Sequence, residues 1–225
     1  MIFGITSCGI LQQAIEPQDE KQKTFDVKDF DRLEMGNAFQ IKVVKGTAFK
    51  VSAAGDSRDI DDLLVVERNG KLEISFRNNW RIRRYRMNIN IEMPTLKEAD
   101  FSGATTSTIK GFDDLTELEI GLSGASKSVF MTNAKTYDIN LSGASTLEIE
   151  GKSKKIYAEL SGASILNAFS TDSEESSLDL SGASSGRVNV AQQLKVRASG
   201  ASKVRYRGNA KVDSDLSGSS KVEKE

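Results

Sequence analysis

Histidine is absent from the 225 residues, and cysteine appears once, at Cys8. The first absence removes the side chain that most often acts as a general base at neutral pH, and with it the commonest transition-metal ligand. The second excludes a disulfide within the chain and a multi-thiolate zinc centre. An enzyme built on this chain would have to work with carboxylates, Lys, Arg or Tyr alone, and neither a metal nor a cofactor is expected. Prolines number 2, aromatic residues make up 7%, and apolar runs are short. None approaches the ~20 apolar residues of a membrane-spanning helix. Lys and Arg total 31 against 32 for Asp and Glu, so no global field draws the protein toward nucleic acid or an anionic membrane.

What is present is small and polar. Ser, Thr, Gly and Asn are abundant, which reads as many short strands rather than long helices. The length suits one large all-β domain as easily as two smaller ones.

The second half repeats Ser-Gly-Ala-Ser or a close variant, with its glycines at Gly103, Gly124, Gly143, Gly162, Gly182, Gly200 and Gly218. The spacings are 21, 19, 19, 20, 18 and 18, as in a stacked repeat whose units contact only their neighbours. Two and four residues before most of these glycines stand apolar residues, such as Ile120 and Leu122 or Ile139 and Leu141. Between them lies a polar column containing Asp100, Asn140, Glu159, Asp179 and Asp215, interrupted by Gly121 and Arg197. This alternation of period two predicts a strand with one buried face. A second strand is predicted after each motif, in STLEIEG or SKVRYRG. Two strands in ~19 residues fit one coil of a parallel β-solenoid, with coils ~4.8 Å apart and a body roughly 30 Å long over seven coils. If alternation continues through the motif, the glycine and the second serine point inward. The serine hydroxyls then bond their counterparts one coil away. The repeated serines are read as structural, because no histidine is present to activate them.

Residues 24–95 lack the motif but alternate in FQIKVVKG and RYRMNINIEMP. Asn69-Gly70 predicts a type I′ hairpin, and Asp56 or Ser57 a cap for a short helical turn. Pro94 leads directly into the first motif coil. The expected organisation is a tether over 1–23 and one β domain over 24–225, in which 24–95 forms an irregular β-rich start and 96–225 the seven coils.

The series FQIKVVKG, NGKLEIS, INIEMPTL and iterated LSGAS resembles the family described as "putative auto-transporter adhesin, head GIN domain" over roughly residues 24–222. The resemblance implies a β-solenoid at the envelope of a Gram-negative bacterium, often behind a lipoprotein signal, and brings no catalytic residues with it. Ile5-Thr6-Ser7-Cys8 before Gly9 also resembles a bacterial lipobox, which would make Cys8 the lipidated residue. MIFGITS is too short for the usual apolar region of ~7–15 residues, so this reading implies an earlier start. The alternative is an ordinary thiol in a frayed terminus.

Two constellations are candidates for chemistry. In NNWRIRRYRMN, Trp80 with Arg81, Arg83, Arg84 and Arg86 forms a cationic, aromatic cluster suited to carboxylates, sulfates or sugar faces. Alternation would put Arg84 and Arg86 outward as a basic stripe, the alternative being a solvated strand face. The carboxylate column offers Glu159 and Asp179 on adjacent coils, a spacing compatible with glycosidase chemistry or weak Ca²⁺ binding, although no calcium loop is present. Any solenoid must also place polar residues there. The expected function is a non-enzymatic, lipid-anchored outer-membrane or periplasmic protein that presents a rigid polar surface to carbohydrate, an anionic one included, or to an envelope protein. The alternatives are a self-assembling structural protein and a polysaccharide-active enzyme.

Overall fold

The computed structural model describes residues 17–78, 80–81 and 84–225. Cys8 and Arg83 lie outside the described residues. The chain folds as a parallel β-solenoid in which, among the described residues, 18 strands join in one continuous sheet around a buried core.

The chain opens with β1 (Glu20–Phe25), β2 (Arg32–Met35), β3 (Gln40–Lys45) and β4 (Lys50–Asp56). One helical turn, α1 (Ser57–Asp61), leads to β5 (Leu63–Arg68), β6 (Lys71–Phe76) and β7 (Asn88–Met93). β1 begins inside the stretch read as tether. Its sequence EKQKTF shows no apolar alternation, and it is held by antiparallel pairing to β4. Asp56 caps α1 by accepting the Arg58 N–H at 3.2 Å, as its position predicts. Asn69 and Gly70, with φ of 52° and 80°, turn β5 into antiparallel β6.

Coil order in space differs from coil order in sequence. β2 pairs in parallel with both β6 and β8 (Glu98–Phe101), and β3 with both β7 and β9 (Thr106–Lys110). The β2–β3 coil therefore lies between the β6–β7 coil and the first motif coil. Residues 24–95, expected to be irregular, supply two regular coils and a cap. In that cap β4 adds antiparallel to β7, β1 to β4 and β5 to β6. Ile60 of α1 is fully buried beneath it, and Phe30 packs on Phe49 with ring centroids 4.9 Å apart.

The repeat continues as β10 (Leu115–Leu122), β11 (Lys127–Met131), β12 (Ala134–Leu141), β13 (Thr146–Leu160), β14 (Ile165–Leu180) and β15 (Ser185–Ala198). It ends with β16 (Lys203–Arg207), β17 (Lys211–Leu216) and β18 (Lys221–Lys224). One wall stacks the arms before each motif, so that Ile120, Ile139, Ala158, Leu178 and Val196 form one inward column. A second wall stacks the arms after the motif. Each fully buried Leu or Ile in such a column stabilises the fold by roughly 1.5–3 kcal/mol.

The motif forms the corner between the walls, and here the structure corrects the expected orientation. Gly and Ala stand exposed at the tip, and only the second serine turns in. Alternation breaks because the glycine takes a left-handed conformation, with φ of 71° at Gly143. A Cβ on Gly143 would also lie 2.6 Å from the Gly124 carbonyl oxygen of the preceding coil. The inter-coil ladder runs through the corner, with Ala144 N–H donating to that same oxygen at 2.7 Å. The inward hydroxyls mostly bond main-chain carbonyls rather than one another. Ser126 and Ser202 donate to Ser123 O and Ser199 O at 2.9 and 2.8 Å, whereas the Ser184–Ser202 hydroxyl pair is 3.4 Å apart.

The two ends differ. β17 pairs with β15 and β18 with β16, and among the described strands neither has a neighbour on its outer side. Lys203 to Glu223 at 2.7 Å and Arg207 to Glu225 at 3.4 Å fasten this last coil.

Candidate functional site

The arginine loop takes the place of a four-residue corner between β6 and β7. Arg84 does not face outward. Its guanidinium reaches Asp59 at 3.1 Å and Asp62 at 2.5 Å, donates to Asn78 O at 2.7 Å, and lies 3.9 Å over the Phe76 ring. Asp59 is fully buried and also accepts the Tyr85 N–H at 2.9 Å. Burial works to raise the Asp62 carboxyl, but hydrogen bonds from Arg84 and Asn78 outweigh it and hold it below the ordinary aspartate value. The expected basic stripe is thus a plug that ties the loop to α1 and seals the solenoid's first end. Arg81 stays near the same pair, 3.9 Å from Asp59, and Arg86 is half-buried. Trp80 stands out from the loop, 75% exposed.

The polar column forms as its spacing predicts. Asn140, Glu159, Asp179, Arg197 and Asp215 are in register on successive strands of the first wall. Toward the capped end this wall becomes acidic, with Lys71 bridging Glu34 at 3.3 Å and Glu98 at 2.7 Å. Burial, then the charge of Glu34, raises Asp100 above the ordinary range, and burial, then Glu98 and Asp138, does the same at Glu119.

Toward the other end the wall is hollowed. One hollow of about 350 Å³ is lined by Asn140, Glu159 and Asp179 with Ser142, Ser161 and Ser181 of the corners. A second, of about 330 Å³, adjoins it at Asp179 and includes Ser177, Lys195 and Arg197. A third, of about 120 Å³, lies between Tyr157, Ser177 and Lys195. Tyr157 is 45% exposed on a wall whose outward positions are otherwise mostly polar. It was not among the residues singled out in the sequence, although its place one column from Glu159 marked it as a departure from that pattern. At the opposite corner a further hollow of about 660 Å³ mixes Asp113, Asp172 and Glu174 with Lys135, Lys152 and Lys154. Among the described residues no three His, Cys, Asp or Glu side chains converge as a metal site, and no helix is long and apolar enough to cross a membrane.

A rigid parallel solenoid with one sealed end and a hollowed polar wall belongs to the class of repeat proteins that present surfaces rather than enclose clefts. The chain belongs to the family described as "Putative auto-transporter adhesin, head GIN domain", which matches residues 29–210. Several solved structures share its fold. A "putative adhesin" from Bacteroides fragilis is 16% identical with a TM-score of 0.81, covering 94% of this chain and 99% of that one. A "putative adhesin" from Parabacteroides distasonis is 15% identical with a TM-score of 0.75, covering 94% and 100%. A "putative lipid binding protein" from the same organism is 15% identical with a TM-score of 0.75, covering 94% and 99%. None of the curated proteins matches the chain by sequence.

Proposed function

We propose that this chain is a non-enzymatic, adhesin-like module of the bacterial cell envelope that binds carbohydrate on its first wall. The observation that carries this reading is the run of hollows beside the Asn140–Glu159–Asp179 column, lined by hydroxyls, carboxylates and cations on an unyielding frame. Its family name supports an adhesin-like, envelope setting. A lipid anchor at Cys8 in a Gram-negative outer membrane or periplasm belongs to the same proposal, as does an envelope protein as alternative partner.

Catalysis is disfavoured by geometry. Glycosidase carboxyls flank a bond from two sides, whereas Glu159 and Asp179 are in register and project from one side of one wall. An anionic glycan is disfavoured because Arg84 is committed to Asp59 and Asp62 while the hollowed wall carries carboxylates. Lipid, named for one structural neighbour, is disfavoured by polar and charged hollows.

The test is a glycan array probed with the full chain, spanning neutral, uronic-acid and sulfated glycans. Selective binding is the expected result, and silence across the array refutes it. A second reading, self-assembly, is favoured by the unpartnered outer edges of β17 and β18. A clean monomer in analytical ultracentrifugation at high concentration removes it.

A further inference from the structure

Resting on that carbohydrate reading, we infer that Tyr157 is the stacking platform of a subsite for an uncharged pyranose, with the hollows around Ser177 and Asp179 taking that sugar and its neighbour. A single exposed aromatic side chain is ordinary on a protein surface. What sets this one apart is its surroundings. Ser177 stands in register with Tyr157 on the next coil, and Lys195 in register with Ser177 on the coil after that. The short serine leaves the 120 Å³ hollow against the side of the ring. That hollow shares Ser177 and Lys195 with the lining of the 330 Å³ one, which in turn shares Asp179 with that of the 350 Å³ one.

Three charged groups of this trough are uncommitted. Asp179 and Arg197 face each other in register, yet neither they nor Lys195 makes a side-chain hydrogen bond or ion pair within the described chain. Other charges of the same wall are used, as in Lys71 to Glu98 at 2.7 Å and, on the lining of the 120 Å³ hollow itself, Lys155 to Glu175 at 3.2 Å. The trough therefore offers an aromatic face, a carboxylate acceptor and two cationic donors that are already in place.

A pyranose has the matching chemistry. Its axial C–H groups make an apolar face for an aromatic ring, and its hydroxyls around the rim both donate and accept. Carboxylates and cations alternate around the trough, with Asp213 and Asp215 beside Lys195 and Arg197. This suits hydroxyls of either sense and repels a run of carboxylates or sulfates. Because the three hollows cross successive coils, the ligand lies across the strands, along the solenoid axis.

The test measures binding of the full chain to arrayed glucan, mannan, galactan and xylan oligosaccharides beside uronic-acid and sulfated ones. It compares Tyr157→Ala, Tyr157→Trp and Ser177→Phe, with melting temperatures taken alongside. Neutral oligosaccharides are expected to bind, about tenfold or more weakly to Tyr157→Ala, since ring stacking of ~1.5 kcal/mol corresponds to that factor. Ser177→Phe is expected to abolish binding by filling the hollow, and Tyr157→Trp to keep it. Tyr157→Trp also covers the case in which a smaller side chain unsettles the strand. Neutral binding unchanged in Tyr157→Ala and Ser177→Phe overturns the subsite and leaves the carbohydrate reading standing. Binding confined to acidic or sulfated glycans overturns it too. No binding to any glycan overturns both.

Discussion

Replacing Arg84 with alanine tests whether the arginine loop is a plug. The side chain is 15% exposed and faces a fully buried Asp59. Removing it would leave Asp59 with the backbone N–H of Tyr85 at 2.9 Å and with Arg58 and Arg81 at 3.8 and 3.9 Å. Breaking one side of a buried pair costs about 3–5 kcal/mol, because the other charge stays behind. The lost contact with the Phe76 ring adds to this, but the terms share one side chain and are not summed. For a chain of 225 residues each kcal/mol shifts the midpoint by about 2–4 °C, so a fall of about 6–20 °C is expected if unfolding is all-or-none. A solenoid can instead open from one end, so hydrogen exchange is the sharper assay. Amides of β4, β6 and β7 should exchange faster while β13–β15 keep their protection. Lysine at 84 should not rescue, since one ammonium cannot span both aspartates as the forked guanidinium does. Trp80→Ala, on the same loop but exposed, should stay within about 0.5 kcal/mol. An Arg84→Ala chain with unchanged midpoint and unchanged exchange would refute the plug and return the arginines to the surface.

Three further outcomes follow from the same structure. Asp62 is held below its ordinary value when folded, so its contribution is complete above the unfolded value and disappears as pH falls through the folded one. The cap should therefore loosen before the motif coils as pH drops below about 4, read by exchange of β5–β7. Asp100 and Glu119 shift the other way, so their charge opposes folding at neutral pH, and Asp100→Asn should raise the melting temperature at pH near 7 but not in acid, where the carboxyl is already protonated. Tyr137 is fully buried, donates to Thr132 O at 2.6 Å and has its phenol pushed up to about 12, chiefly by burial. Tyr137→Phe should cost about 1–3 kcal/mol by taking this partner from Thr132 O and from Thr132 Oγ1, 2.9 Å away, and the wild-type phenol should stay un-ionised well past pH ~10 in a spectrophotometric titration.

The repeat, the strand alternation, the Asp56 cap and the Asn69-Gly70 hairpin were all legible in the sequence, because each rests on chemistry within a few residues. The reversed coil order was not. β3 pairs with β7 and β9 alike, and alternation assigns a strand's buried face without assigning its neighbours. The inward orientation assumed for the motif glycine failed because alternation holds only while the backbone stays extended, and a φ of 71° ends it. The role of Arg84 was hidden by distance along the chain, since its partners lie 25 and 22 residues earlier and nothing in DSRDIDDLL announces them as buried. β1 was hidden for a different reason: a strand held chiefly by backbone pairing, with the Lys21–Asp61 ion pair and Phe25 at its end, leaves no apolar alternation.

The contrast between what repeats and what does not locates function more sharply than composition does. A corner glycine must recur because each corner stacks on the last. Gly162, Gly182 and Gly200 would each put a Cβ 2.5–2.6 Å from the carbonyl of the coil before. Replacing Gly143 with alanine carries this clash plus about 1–2 kcal/mol for a left-handed residue with a side chain. Ala144→Ser at the exposed tip carries neither. The first variant should lose soluble, folded protein, judged by circular dichroism and melting, and the second should match wild type. If Gly143→Ala melted like wild type, stacking would not be what demands glycine, and the motif itself would become a candidate surface for binding. If it fails as expected, the recurring residues are fully used in holding coils together. Specificity must then lie where the pattern departs from itself, at outward positions free of stacking. Along the column of Asp138, Tyr157, Ser177, Lys195 and Asp213, in which no residue type recurs between neighbours, that freedom has been used to set an aromatic ring beside a gap.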